Sequence, residues 1–141
     1  MTKEDRIDQI HHKLTALEGY LVILRRKGKV TAEMLIANDD LRGVVERNLQ
    51  LAAEVVLDVA NQLIAEYRFR TPTEYKDSII ILGEEGVLEK DFADEISGMA
   101  GFRNLLVHDY LKIDYEKVAD KVNNRLGDFE TFAKSVARYV S

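Results

Sequence analysis

Three side chains that suit the chemistry of a phosphodiester lie close together in the segment M-A-G-F-R-N-L-L-V-H-D-Y-L-K-I-D-Y (99–115). They are Arg103, His108 and Tyr110, and the residues between them are mostly apolar. Arginine is a permanent cation, and histidine is the side chain that titrates near neutral pH. An arginine and a histidine at this spacing suit the cleavage of a phosphodiester bond.

Two of these side chains have distinct roles in metal-free RNA cleavage. His108 can take the proton of a ribose 2′-hydroxyl as a base, or protonate the leaving 5′ oxygen as an acid. Arg103 can hold the scissile phosphate with two hydrogen bonds and stabilise the charge of the transition state. Asn104 is the next candidate catalytic residue: its amide either orients Arg103, contacts a phosphate or simply faces solvent. The expected product carries a 2′,3′-cyclic phosphate.

The spacing of the motif constrains how Arg103 and His108 can meet. Five residues on an ideal helix correspond to about 140° of rotation, so the two side chains do not share a face. Either the helix is distorted near His108, or both residues flank a groove that another copy of the chain completes. A second copy would also supply the second acid or base that the motif lacks. The pattern therefore favours a homodimer.

Each motif residue also has an ordinary structural interpretation. His108 could be a satisfied core histidine, and Tyr110 a half-buried aromatic at a helix end. The same arginine–histidine spacing recurs at Arg6 and His11, which we interpret as surface residues of an amphipathic helix. His11 and His12 are adjacent and cannot chelate a metal as an i, i+4 pair would. We expect neither a metal nor a cofactor.

The segment G-F-R-N-L-L-V-H-D-Y, followed by I-D-Y-E-K-V, resembles the R-x4-H-x-Y signature of HepT-like proteins in the HEPN superfamily. An upstream segment, P-T-E-Y-K-D-S-I-I-I-L-G-E-E-G-V-L, is similar to the proline, tyrosine and glycine landmarks of that family. The resemblance covers roughly residues 47–122, and it is specific because arginine, histidine and tyrosine are all present.

This resemblance implies the toxin of a two-gene toxin–antitoxin module, acting as a homodimeric, metal-independent endoribonuclease. Arg103 and His108 would be catalytic. The partner would be a small nucleotidyltransferase antitoxin that transfers AMP to the motif tyrosine, here Tyr110. AMP at that position would add bulk and negative charge where the RNA phosphate binds. Two rival hypotheses are a non-catalytic partner or nucleotide-binding adaptor of a nucleotidyltransferase, and a purely structural helical dimer.

Composition restricts the class of protein further. The chain has 141 residues, 46% of them hydrophobic and 32% charged, which is typical of one globular domain spanning residues 1–141. It has no cysteine, which excludes disulfides and thiolate metal sites and fits a reducing cytoplasm. We see no signal peptide and no run long enough to cross a bilayer. The net charge of −5 argues mildly against broad electrostatic capture of RNA.

Helical spacing of apolar residues recurs along the chain and predicts an all-α fold. The predicted helices cover residues 2–27 with Thr2 as N-cap, 31–36, about 41–67, 75–82, 88–111 and 115 onward. The run 75–82 could equally be a strand, but no second strand exists to pair with it. In the helix 88–111 we expect the following residues to point inward: Phe92, Ile96, Met99, Phe102, Leu105 and Leu106. The sum is an up-and-down, HEPN-like bundle of four long helices plus one or two short ones.

Overall fold

The computed structural model describes the backbone of residues 1–141 and every side chain except that of Tyr110. The described backbone contains helices and no strand, so the predicted all-α bundle is confirmed. Its elements are α1 (Lys3–Arg26), α2 (Ala32–Ala37), α3 (Asp39–Tyr67), α4 (Asp77–Glu84), α5 (Lys90–Ile96), α6 (Met99–His108), a 3-10 turn (Tyr110–Lys112), α7 (Tyr115–Asn124) and α8 (Leu126–Val140).

The first helix begins where the sequence predicted. The Thr2 hydroxyl accepts a hydrogen bond from the Asp5 backbone N–H, and the Asp5 carboxylate accepts one from the Thr2 N–H, both at 3.1 Å. This capping box satisfies N–H groups that have no partner within the helix. The buried face of α1 then follows the predicted spacing of three and four residues: Ile10, Leu14, Leu17, Leu21 and Leu24.

The centre of the fold is α3, which packs against α1, α2, α4, α6 and α8. Its 29 residues begin after Asn38, whose side chain accepts a hydrogen bond from the Leu41 N–H at 3.0 Å. Several neighbouring residues are all buried, and they point to more than one side of the helix: Val55, Val56, Leu57, Val59 and Ala60. A helix that is apolar on several sides must be covered on several sides. The sequence of α3 therefore dictates its central position.

The predicted continuous helix 88–111 is wrong: α5 and α6 are separate helices divided at Ser97 and Gly98. The backbone N–H and the hydroxyl of Ser97 both donate to the Asp94 carbonyl, which closes α5 with a tight last turn. Gly98 follows, and glycine has the lowest helix propensity of any residue except proline. Leu105 was also predicted to point inward, but it is exposed on α6.

The predicted last helix from Tyr115 is likewise divided, at Arg125. The backbone of Arg125 leaves the helical region, with φ −119° and ψ 6°. Its guanidinium forms ion pairs with Glu95 of α5 and with Asp128 in the first turn of α8. The bend between α7 and α8 therefore coincides with a link to another helix.

The connection between α3 and α4 is held by a network of charged groups. α3 is capped at its C-terminus by Arg68, which adopts the left-handed conformation with φ 55°. Arg70 then binds Asp77 through two hydrogen bonds of 2.7 Å and contacts Glu84 at 2.9 and 3.0 Å. The N–H and hydroxyl of Thr73 donate to the same Asp77 carboxylate. As a result the loop 71–76 is tied to the N-terminus of α4.

Candidate active site

Arg103 lies on α6, the helix that packs against the central helix α3. Its side chain is half-buried, and its Nη1 donates a hydrogen bond to Asn104 Oδ1 at 3.1 Å. This contact agrees with one of the three roles predicted for Asn104, which is to orient Arg103. Arg103 Nε is buried without a hydrogen-bond partner among the described side chains. A guanidinium carries five N–H donors, so Arg103 keeps capacity to bind an anion.

An open groove of about 660 Å³ lies beside Arg103, a size typical of small-molecule sites. Four segments of the chain form it: α3, the loop 71–76, the first turn of α4, and α6. Its lining residues are Leu57, Asp58, Asn61, Pro72, Thr73, Glu74, Tyr75, Ser78 and Arg103. A groove lined by both apolar and polar side chains, with one guanidinium in its wall, suits part of a nucleotide.

His108 is the last residue of α6, and its side chain is exposed. That exposure excludes the interpretation of His108 as a core histidine. The helix stays regular from Arg103 to His108 and departs from helical geometry only at Asp109, with φ −141° and ψ 46°. His108 is not among the residues that line the groove beside Arg103. One copy of the chain therefore brings together Arg103 and Asn104, but does not add His108 to that groove.

Tyr110 begins the 3-10 turn that follows α6. Its side chain lies outside the described residues, so the prediction for Tyr110 stays a prediction. The turn continues with Leu111, which is 87% exposed, and with Lys112, whose Nζ lies 3.4 Å from an Asp109 carboxylate oxygen. The end of α6 thus places an exposed histidine beside an exposed leucine.

In the second arginine–histidine pair, the arginine has a structural role. Arg6 binds Glu66 of α3 through two hydrogen bonds, of 2.5 and 3.1 Å, and so ties α1 to α3. The interpretation of Arg6 as a mere surface residue is therefore wrong. His11 is exposed, as predicted, at the edge of a separate groove between α1 and α8.

Two further properties concern the described part of the chain as a whole. Among the side chains described, His, Asp and Glu form no cluster of three or more that could hold a metal ion. No helix in the described backbone combines the length and the apolar character needed to cross a membrane.

A family model described as "Ribonuclease HepT-like" matches residues 10–136. The chain belongs to the HepT-like family. The match confirms the family that the motif indicated, and it extends well beyond the region 47–122 on which the resemblance was based. It includes Arg103, His108 and Tyr110 and begins after Arg6. Of the two arginine–histidine pairs, only the one on α6 lies wholly within the family's span.

This HepT-like chain is similar to curated proteins and to a solved structure. It is 32% identical over 92 residues to the mRNA nuclease HepT of Shewanella oneidensis, covering 65% of this chain and 69% of that protein. It is 22% identical over 131 residues to the tRNA nuclease HepT of Aphanizomenon flos-aquae, covering 93% and 89%. A solved tri-AMPylated HEPN toxin of Shewanella oneidensis, in complex with MNT antitoxin, superposes with a TM-score of 0.82 at 24% identity, over 92% and 96% of the chains. That structural likeness confirms the HEPN-like fold.

Sequence reasoning missed most of the residues that line the groove of this HepT-like protein. Asp58 and Asn61 sit three residues apart on α3, where they interrupt an otherwise apolar run. Both side chains are exposed, as polar residues on the outer face of a helix usually are, so nothing in the sequence signals that they line a site. Tyr75 entered only as a landmark of the family resemblance. What brings these residues together is the packing of α6 against α3, which a pattern along the chain does not reveal.

Proposed function

We propose that this chain is a toxin that cleaves RNA as a metal-independent endoribonuclease and leaves 2′,3′-cyclic phosphate ends. The observation that carries the proposal is the arginine–histidine motif on α6, which lies within the HepT-like span and has its arginine in the wall of a groove. Relatives named as mRNA and tRNA nucleases support RNA as the substrate. RNA cleavage of this kind would take place in the cytoplasm.

The proposed reaction is a transfer within the RNA strand. His108 removes the proton from a 2′-hydroxyl, and the 2′ oxygen attacks the adjacent phosphorus as the bond to the 5′ oxygen breaks. The leaving 5′ oxygen takes a proton from an acid. Arg103 neutralises the negative charge that grows on the phosphoryl oxygens, and Asn104 holds its guanidinium in place. Balanced in this way, the step needs no water and no metal.

A homodimer would supply the second acid or base. In this proposal the two His108 side chains of the dimer meet at one site, where one acts as base and His108 of the partner subunit acts as acid. Support comes from the exposed apolar residues beside His108, which are Leu105 at 37%, Val107 at 36% and Leu111 at 87% exposure. Apolar side chains clustered at one end of a helix suit contact with a second copy.

The proposed partner is a nucleotidyltransferase antitoxin that transfers AMP to Tyr110. The similar solved toxin is AMPylated and bound to its antitoxin, which supports this assignment. Each AMP group adds a negative charge and excludes RNA from the adjacent site. Tyr110→Phe should stay toxic when the antitoxin is co-expressed, whereas the wild-type chain should be neutralised. Neutralisation of both would show that the antitoxin acts elsewhere.

The test of cleavage is incubation of the purified dimer with RNA in EDTA, followed by analysis of the new RNA ends. Wild type should produce cyclic phosphate ends, and His108→Ala should not. His12→Ala is the matched control, because it removes an exposed histidine of α1, and it should cleave like wild type. A folded dimer that leaves RNA intact would favour the adaptor hypothesis. Equal cleavage by wild type and His108→Ala would reject His108 as a catalytic residue.

A further inference from the structure

The groove beside Arg103 is lined by charges of both signs, which disfavours the binding of several consecutive phosphates. Asp58 and Glu74 contribute two carboxylates to its wall, against the single guanidinium of Arg103. Carboxylates repel the phosphate backbone of RNA, whose binding depends on neutralisation by cations. An uncharged nucleobase has no such conflict. The groove is therefore better suited to the base next to a phosphate than to further phosphates.

Tyr75 provides an aromatic surface in the same groove. Its side chain is 73% exposed, although tyrosine is a large and mostly apolar residue. Of the aromatic pairs formed by the described side chains, none includes Tyr75; they join Tyr67, Phe69 and Tyr139. Exposed aromatic rings are the surfaces on which proteins stack the bases of single-stranded RNA.

The loop that carries Tyr75 is fixed at both ends. Asp77 accepts hydrogen bonds from the Thr73 N–H at 2.9 Å and from its hydroxyl at 3.1 Å. The Ser78 hydroxyl donates to the Tyr75 carbonyl at 3.2 Å. Arg70 holds Asp77 in turn. A ring on a backbone held in this way loses little conformational freedom when a base stacks on it, which favours binding.

Asp58 supplies hydrogen-bond acceptors in the groove, and the other carboxylate there, Glu74, is paired with Lys76 at 3.7 Å. It lies on α3 one turn before Asn61, whose amide nitrogen donates to the Leu57 carbonyl at 3.0 Å. A carboxylate accepts hydrogen bonds only, so it matches the N–H donors of a base. Guanine presents two adjacent N–H donors on its Watson–Crick edge and can satisfy both carboxylate oxygens. Uracil presents one N–H beside two carbonyl oxygens, which a carboxylate repels.

We propose that this groove is a nucleobase subsite in which Tyr75 stacks on the base beside the scissile phosphate and Asp58 selects guanine. The inference rests on the proposed function, because it assumes an RNA substrate whose phosphate meets Arg103. It assigns Tyr75 and Asp58 as specificity-determining residues outside the R-x4-H-x-Y motif.

Binding can be measured without cleavage by working in the His108→Ala background. Short RNAs with 6-methylisoxanthopterin, a fluorescent guanine analogue that keeps both Watson–Crick N–H donors, report stacking, because stacking on an aromatic ring quenches their fluorescence. We expect quenching both by the His108→Ala protein with Tyr75 intact and by its Tyr75→Phe variant, which keeps the aromatic ring. Tyr75→Ala should abolish the quenching and weaken binding roughly 5- to 140-fold, the range for loss of one stacked base. Undiminished binding and quenching in Tyr75→Ala would overturn the subsite.

Selectivity is tested with RNAs that differ at a single nucleotide, again in the His108→Ala background. Asp58 should favour guanine over uracil, and Asp58→Asn should reduce that ratio by roughly 5- to 140-fold. Asp8→Asn is the matched control, since it removes the same charge from an exposed position on α1. A guanine preference unchanged in Asp58→Asn, or absent from the parent protein, would overturn the assignment of Asp58.

Cleavage by the chain with His108 intact separates this inference from the proposed function. If that chain cleaves RNA while Tyr75→Ala binds and cleaves normally, the subsite is wrong and the ribonuclease stands. If the chain never cleaves but binds bases in a Tyr75-dependent manner, the subsite stands and the ribonuclease proposal falls. Absence of RNA binding in every variant would overturn the subsite as well.

Discussion

Arg103 donates a hydrogen bond from Nη1 to Oδ1 of Asn104, its immediate neighbour, within a regular helix. Adjacent residues on a helix point about 100° apart, so the contact forms only because the long arginine side chain bends back. The bond occupies one N–H and restricts where the remaining donors can point. We therefore propose that Asn104 orients Arg103.

Removal of Asn104 should reduce cleavage more than it reduces stability. For Asn104→Ala we expect kcat/KM for RNA to fall roughly 10- to 100-fold, the range for losing a hydrogen bond to a charged group. Asn124→Ala is the control, since Asn124 bonds a carboxylate on α7, outside the groove beside Arg103. Cleavage within twofold of wild type in Asn104→Ala, with Arg103→Ala inactive, would show that the contact has no role in catalysis.

A composite site with two His108 side chains makes a quantitative prediction for mixed dimers. When wild-type and His108→Ala chains pair at random in equal amounts, only dimers with two wild-type chains should be active, about a quarter of the total. Two independent sites would instead retain about half of the activity. Co-expression with two different tags, native mass spectrometry of the pairs and a cleavage assay distinguish these results.

A charge among the exposed apolar residues near His108 should separate the dimer. Leu111→Glu places a carboxylate where the proposed interface excludes water, and we expect dimerisation at least about tenfold weaker, with a parallel loss of cleavage. Ile36→Glu on α2 is the control, because Ile36 is also exposed, at 60%, but lies on another helix. Analytical ultracentrifugation measures both variants. An intact Leu111→Glu dimer would place the interface elsewhere.

The sequence predicted the helical faces well, because the capping residues and the spacing of apolar residues are local signals. It missed the two breaks for a related reason. Ile96 and Met99 keep helical spacing across the division between α5 and α6, and Leu126 and Phe129 continue the spacing of α7 beyond Arg125. A break that preserves the helical spacing of apolar residues cannot be detected from that spacing. The pairing of Arg125 with Glu95 is a contact between distant parts of the chain, which only the fold reveals.

The residues of the candidate site also differ in whether the sequence or only the fold reveals them. Arg103, Asn104 and His108 are neighbours along the chain, so the sequence alone reveals their motif. The groove beside Arg103 takes its other residues from α3, from the loop 71–76 and from the first turn of α4, and it exists because α6 packs on α3. In our proposal His108 joins Arg103 at one site only in a dimer, and the mixed-dimer experiment tests this.

The network that holds the loop after Pro72 should make stability depend on pH. Hydrogen bonds from Arg70, and then from the Thr73 N–H, hold the pKa of Asp77 well below its usual range. Folded Asp77 therefore binds fewer protons than unfolded Asp77 at acid pH, and stability rises with pH there. Its contribution is complete above the unfolded pKa of about 3.9 and is lost as pH falls toward the folded pKa.

Urea unfolding of Asp77→Asn against wild type checks this direction. The variant should be less stable than wild type at pH 7, and the difference should shrink as the pH falls below about 4. Asp8→Asn, on the exposed face of α1, should show little difference at either pH. A difference of equal size at pH 7 and pH 3 would mean that Asp77 contributes through packing and not through its charge.

The contact between α4 and α5 depends on a glycine. A Cβ added at Gly83 would lie 2.7 Å from the Cβ of Ala93, closer than the Cβ atoms of two non-bonded residues approach in proteins. Gly83→Ala should gain up to about 1 kcal/mol of helix propensity but lose more to overpacking, which costs about 1–3 kcal/mol. With the full gain in helix propensity, the net loss in the free energy of unfolding is about 0–2 kcal/mol.

Ala93→Gly in the same chain tests whether the clash is the cause. If it is, Gly83→Ala should destabilise the Ala93→Gly protein less than it destabilises wild type, which gives a favourable coupling of about 1 kcal/mol in a double-mutant cycle. Gly19→Ala is the control, since Gly19 lies in α1 with open space around its missing Cβ, and it should stabilise the fold by up to about 1 kcal/mol. Chemical denaturation of the four proteins and the control measures each term. A stabilising Gly83→Ala would show that α5 moves away readily, and that the close approach of the two helices is not required for the fold.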